Sequence, residues 1–254
     1  MTAAAALCAT MCALAATAVA PSLQVLPANA GDALSYRYAL HGQTSRGSQD
    51  AAVSVSLTRD DATLVTIRER GADNAPAPLE ARIDGGATLV LHKHVDPQDI
   101  PVTLAALDTA LTIAQSVPAG VASGATWKAT LPAAIPGAPA SDFPVTVTAT
   151  SVAGVALDLH VTGSRMQTYV AQPGSSQISN PASNDFAQPQ FNDPNATQPD
   201  SGATPAPLHI RTTVDETLHF TDGALSSAQG SVTATGDANK TYVDLAWSLE
   251  REHN

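Results

Sequence analysis

The densest group of side chains able to do chemistry is His92-Lys93-His94-Val95-Asp96. On an extended strand, residues i, i+2 and i+4 share a face, so His92, His94 and Asp96 could converge on one cation. The same spacing also fits two solvated histidines at the exposed end of a strand. Elsewhere the chain has no Gly-x-Ser-x-Gly elbow, no phosphate-cradling glycine loop and no EF-hand spacing. Asp60-Asp61 and Asp215-Glu216 are adjacent in sequence, so on a strand their carboxylates point to opposite faces and cannot act as a pair. The first reads as a turn and the second as a strand edge or bulge. His160, His209 and His219 fall on polar faces of predicted strands, where solvated imidazoles are expected. No residue is assigned a catalytic or cofactor-binding role, and no cofactor is expected.

The run Leu89-Val90-Leu91-His92-Lys93-His94-Val95-Asp96-Pro97 resembles the His-x-His-x-Asp-His motif that ends a strand in metallo-β-lactamase-fold hydrolases. That resemblance implies a metal-dependent hydrolase with His92, His94 and Asp96 as ligands. The chain departs from the motif where Pro97 stands in place of the last histidine, which removes a ligand of the second metal. It also lacks the surrounding alternation of strands and helices that the αββα fold requires.

The elements that would have to position any site are strands. From Leu208 to Phe220 the even positions read Leu, Ile, Thr, Val, Glu, Leu, Phe and the odd positions are all polar. Period-2 alternation of this kind marks a strand with one face in a core and one in water. So long a strand exceeds the usual ~17–20 Å and is expected to bend or bulge. Thr221-Asp222-Gly223 supplies turn chemistry. The chain returns through Ala228, Gly230, Val232 and Ala234, turns again at Gly236-Asp237-Ala238-Asn239, and leaves with Val243, Leu245, Trp247 and Leu249 on one face. Residues 207–252 are therefore expected to form a three-strand meander.

Earlier in the chain the same alternation runs from Leu34 to Leu40, followed by a polar loop from His41 to Ser48. It predicts hairpins around Arg59-Asp60-Asp61 and Asp84-Gly85-Gly86, a strand carrying an inward Trp127, and further strands through Val145, Leu159 and Val170. Between Asp96 and Gln115 the period changes: Leu104, Leu107, Leu111 and Ala114 recur at spacings of three and four, predicting a helix from Pro101 to Gln115.

From Ala171 to Ala206 the composition collapses into Gln, Ser, Asn, Pro, Asp and Gly, with Ile178, Phe186 and Phe191 as the only large apolar side chains. Such a tract cannot bury enough surface to offset its ordering entropy, so it is expected to be disordered. Phe186 and Phe191 are its sticky points and could dock on a protein partner, against the plainer reading of a spacer.

The full chain has 254 residues and a formal net charge of −11. Residues 1–30 read as an export signal, Ala-rich and uncharged, with Ala28-Asn29-Ala30 before Gly31 fitting a small-x-small cleavage after Ala30. Alanine and threonine partition too weakly to favour a membrane anchor there, so the processed chain is not expected to span a membrane. Both cysteines, Cys8 and Cys12, lie inside this segment, which leaves the remainder without disulfides or thiolate metal sites. An acidic, aromatic-poor surface repels phosphate backbones and makes nucleic acid an unsuitable partner.

The resulting expectation is a mainly β protein: an antiparallel, meandering, strongly curved sheet or half-barrel with one short helix and a long disordered loop. Residues 31–170 form its first part, 171–206 an excursion, and 207–252 complete the same domain. In outline this is similar to the half-barrels of bacterial periplasmic lipoprotein carriers, an analogy of fold. The expected function is that of an exported, non-catalytic protein, periplasmic or extracellular, that holds an apolar ligand or lipid in the concave face. The alternatives are an envelope interaction or structural module without a small-molecule site and, last, the metal-dependent hydrolase.

Overall fold

The computed structural model describes residues 23–44, 47–70, 77–84, 88–91, 102–133, 142–153, 156–171, 178–179 and 207–252. Its strands are β1 (Ala33–Thr44), β2 (Gly47–Arg59), β3 (Leu64–Arg70), β4 (Leu79–Asp84), β5 (Thr88–Leu91), β6 (Thr126–Leu131), β7 (Phe143–Ala153), β8 (Ala156–Ala171), β9 (Ile178–Ser179), β10 (Leu208–Thr221), β11 (Ala224–Thr235) and β12 (Thr241–Arg251), with one helix, α1 (Val102–Ser116). They form one antiparallel sheet in the order β5-β4-β3-β2-β1-β12-β11-β10-β8-β7-β6, with short β9 added beside β8. The sheet is not closed. Its two edges are β5 and β6, and α1, which joins them in sequence, packs against both.

The meander β10–β12 occupies the middle of this sheet, with β12 on β1 and β10 on β8. Its alternating residues explain why: Ile210, Thr212, Val214, Glu216, Leu218 and Phe220 are buried, while His209, Arg211, Asp215 and Thr221 are exposed. The bend expected in so long a strand is a register shift against β11 between His219 and Phe220. Leu57, Val65, Leu107, Ile113, Leu159, Leu218 and Leu249 belong to one continuous core and have about no exposure to solvent.

Helix α1 fits the leucine and alanine spacing of its sequence and ends before Val117-Pro118, since a residue preceding proline is disfavoured in the helical region. Of its described side chains only Gln115 is exposed, and Asp108, Thr112 and Ser116 are half-buried. A helix apolar on nearly all sides must be surrounded by protein. Here it lies in the gap between the sheet edges.

Two local expectations are revised. The loop expected from His41 to Ser48 is mostly strand, because β1 continues to Thr44 and β2 resumes at Gly47, with Gly42, Gln43 and Thr44 paired to β12. Pairing across the sheet overrides the polar composition. Gly42 makes this possible: its φ is +148° and a Cβ there would fall 2.0 Å from the Asp244 carbonyl oxygen. Asp215-Glu216, expected at a strand edge or bulge, instead lies inside a fully paired stretch of a central strand, with Glu216 buried.

The segment preceding β1 is part of the fold. Gln24 bridges Ala224 in parallel, with Gln24 N–H donating to the Gly223 carbonyl at 2.7 Å and Leu225 N–H to the Gln24 carbonyl at 2.8 Å. Val25 and Leu26 join the core, the Tyr36 hydroxyl donates to the Val25 carbonyl at 2.9 Å, and the Arg59 guanidinium donates to the Pro27 carbonyl at 3.0 Å. Cleavage after Ala30 would remove all of these contacts.

Candidate ligand site on the inner face of the sheet

One row of inward residues crosses the middle of the sheet, each directly opposite the next: Val161 on β8, Glu216 on β10, Gly230 on β11, Trp247 on β12 and Leu40 on β1. Gly230 is the notch in this row. A Cβ at that position would lie 2.7 Å from Glu216 Cγ, 2.8 Å from Trp247 Nε1 and 2.9 Å from Trp247 Cε2. The glutamate stem and the pyrrole edge of the indole therefore meet over a bare backbone. Any larger residue would force them apart.

Both side chains are almost wholly buried, Glu216 3% and Trp247 4% exposed, and neither Glu216 Oε2 nor Trp247 Nε1 has a hydrogen-bond partner among the described residues. The Tyr38 hydroxyl shares that condition at 1% exposure. Tyr38 stands on β1 opposite Leu249, two residues from Trp247 on the same face, so the two aromatic residues are diagonal cross-strand neighbours. A buried donor or acceptor left unanswered costs about 1–3 kcal/mol.

Burial also sets the charge here. The Glu216 carboxyl is pushed up to about 8, first by desolvation and then by the neighbouring Asp215 carboxylate, so at neutral pH it is a neutral acid that can donate as well as accept. Burial, followed by the nearby Glu69 carboxylate, raises the Tyr38 phenol further above its ordinary range, which keeps its O–H in place. The inner face here thus carries the Trp247 N–H beside an uncharged acid, with the Tyr38 O–H one diagonal step away from the row.

Around α1 the inward polar groups are answered. Thr103 Oγ1 bonds the Glu69 carboxylate, Leu89 N–H donates to Asp108 Oδ1 at 3.0 Å, and Trp127 Nε1–H donates to Ser116 Oγ at 2.9 Å. Trp127 is inward and half-buried, as its strand predicts. On the outer face, His160 and His219, expected to be solvated, are partly exposed and pair across strands with Asp215 and Asp158, while His209 meets the Thr168 hydroxyl. These are paired surface groups, each on a β8–β10 contact. Asp61 accepts from the N–H groups of Thr63 and Leu64, the turn read from its sequence.

His92, His94 and Asp96 lie outside the described residues, as do Phe186 and Phe191. Of the tract from Ala171 to Ala206, Ala171 and Ile178–Ser179 are described, the latter paired with the end of β8. Among the described residues no helix is long and apolar enough to cross a membrane.

Glu216 could have been singled out from sequence as the one acid among the apolar even positions of its strand. Nothing local marks Gly230 as its neighbour, because that relation exists only in the register of β10 and β11.

No family model matches the chain, and no curated protein compared with it matches. Among solved structures, the chain is similar to lipovitellin, described in a study of lipid–protein interactions, at a TM-score of 0.48 and 8% identity over 89% of this chain. It spans 25% of the lipovitellin chain. The protein Rv2717c of M. tuberculosis is matched over 92% of this chain and 94% of its own, at a TM-score of 0.25 and 10% identity. Likenesses at these scores carry no functional argument.

Proposed function

We propose that this is an exported, non-catalytic β-protein, periplasmic or extracellular, that takes an apolar or amphiphilic ligand such as a lipid on the inner face of its open sheet. The observation that carries the reading is the inner face itself. It is a continuous apolar surface on a sheet whose edges, β5 and β6, are bridged by a helix and not joined by strand pairing. An unclosed sheet has a seam along which a ligand can enter without breaking the strand ladder. Ligand sites of this kind are mostly apolar, with a few placed polar groups. Native mass spectrometry of the protein purified from its exported fraction tests the reading. Co-purified lipid, or a stoichiometric adduct after incubation with monoacylglycerol vesicles, is the expected result. A bare mass under both conditions would overturn it.

Export also requires that processing leave the fold intact. The contacts of Gln24, Val25, Leu26 and Pro27 favour a cut upstream of Leu23, and Ala16-Thr17-Ala18 offers small residues at the two recognition positions. N-terminal sequencing of the exported protein is expected to begin between Val19 and Leu23. A chain beginning at Gly31 and still folded would return the cleavage to Ala30.

A further inference from the structure

The inner face of the sheet already has an occupant, and that occupant is α1. Leu57, Ile67, Val147, Leu159 and Leu218 have at most 1% exposure, and Leu104, Leu107, Leu111 and Ile113 of the helix belong to the same core. An interior packed in this way has no space for a hydrocarbon chain until something leaves it. We infer that α1 and an acyl chain compete for one place, the trough between the sheet edges, and that the helix swings out on the connector from Pro118 to Ala122 to admit the ligand. The inference rests on the ligand-binding reading above and adds the regulation of that site.

Three observations make the helix the part that moves. Among the described residues no backbone hydrogen bond joins α1 to a strand. It is fastened by side-chain bonds, Thr103 to Glu69 on β3, Asp108 to the Leu89 amide on β5, and Ser116 to Trp127 on β6. The strands around it are held by backbone ladders, so α1 can leave without unpairing any of them. The connector behind it is also loose: Pro118, Ala119, Gly120 and Ala122 are exposed, and Gly120 has a φ of +67°. The chain is anchored again from Ser123, whose hydroxyl donates to the Thr150 carbonyl at 3.1 Å, and Gly124, whose N–H donates to the Ala149 carbonyl at 2.7 Å. An exposed stretch with a glycine in the left-handed region can absorb the change of direction that a hinge needs. Finally, the dimensions fit. A helix of 15 residues leaves a trough of ~22 Å, longer than the ~15 Å spanned by the chains of one leaflet, half of a ~30 Å hydrocarbon core.

The helix is apolar on nearly all sides, so leaving the core exposes that surface and the open form is a minor state. A ligand that binds only the open form has its intrinsic affinity reduced by the open fraction. Loosening α1 therefore lowers the stability of the fold and strengthens ligand binding together. A residue that simply supported a ligand site would do the reverse.

The test is isothermal titration of the full, delipidated protein with monolauroylglycerol, beside thermal melting. Ser116→Ala and Trp127→Phe each delete the bond that closes the C-terminal end of α1. Each should lower the melting temperature yet tighten binding roughly three- to tenfold, the worth of one hydrogen bond, and the two together should tighten it no further. Tyr36→Phe deletes a bond of 2.9 Å to the Val25 carbonyl and should lower the melting temperature with affinity unchanged. In the wild type, saturating probe should speed amide hydrogen exchange in residues 102–116 at least about tenfold and leave β10–β12 protected. Unchanged or weaker binding in both helix-end variants, equal tightening by Tyr36→Phe, or exchange in α1 untouched by the probe would each overturn the displacement of the helix and leave the ligand-binding reading standing. Failure of the wild type and of both helix-end variants to bind the probe would overturn both.

Discussion

The two tryptophans of this protein stand on the same inner face in opposite circumstances. Trp127, on edge strand β6, is half-buried and gives its N–H to Ser116 of α1 at 2.9 Å. Trp247, on central strand β12, is more deeply buried and gives its N–H to no described group. The difference extends to their neighbours. The acid on the helix, Asp108, accepts a backbone N–H, whereas Glu216 near Trp247 has an unanswered oxygen. One region uses polar atoms to fasten a helix across the seam of the sheet. The other buries polar atoms that no described group answers, a costly arrangement for stability.

The largest effect that can break this contrast is the pH dependence of stability. Glu216 keeps its proton in the folded chain up to about pH 8 and loses it near its ordinary 4.5 when unfolded. Between those values unfolding releases a proton, so its contribution to stability falls with rising pH at about 1.4 kcal/mol per pH unit and is flat on either side. Urea denaturation across that window should show Glu216→Gln gaining on the wild type steadily as pH rises. Parallel curves for the two proteins would remove Glu216 from the account.

Next comes Leu107→Ala, at a fully buried position of α1. Emptying a site with no exposure should cost about 2–5 kcal/mol. A cost below about 1 kcal/mol, the worth of one buried methylene, would mean that the helix is a loose cover instead of a fastened one. Gly230→Ala should cost about 1–3 kcal/mol, since its methyl meets atoms at 2.7 to 2.9 Å. If thermal melting shows no loss, the glutamate and indole are free to move apart and the notch is not a fixed shape. The smallest effect belongs to the outer face. Asp158→Asn, which breaks the cross-strand pair with His219, should cost less than about 1 kcal/mol, and a larger loss would show that the outer face contributes more than a solvated surface.

Much of the architecture was legible because strand periodicity is a local signal. Alternation from Leu208 to Phe220 identifies β10 and its buried face, and the change of period after Asp96 marks a helix expected over Pro101–Gln115 and observed over Val102–Ser116. The loop expected from His41 to Ser48 failed for a nonlocal reason: among its described residues, His41 to Thr44 are held extended by pairing with β12, about two hundred positions away along the chain, and Gly47 and Ser48 by pairing with β1. The candidate site was legible only in fragments. The sequence attracts attention to His92, His94 and Asp96 because their spacing is regular. Glu216, Gly230 and Trp247 are far apart along the chain, and each is unremarkable alone.

Sequence by itself determined which side chains face inward, since a pleated strand sends alternate residues to opposite sides whatever it pairs with. It also determined the change from strand to helix at α1 and the acidic outer surface. Tertiary structure alone decided that the C-terminal meander lies at the centre of the sheet and that α1 spans its open seam. It also decided that a glutamate, a glycine and a tryptophan from three strands share one row. Neighbourhood across a sheet is set by register, and register is fixed by the packing of the whole inner face.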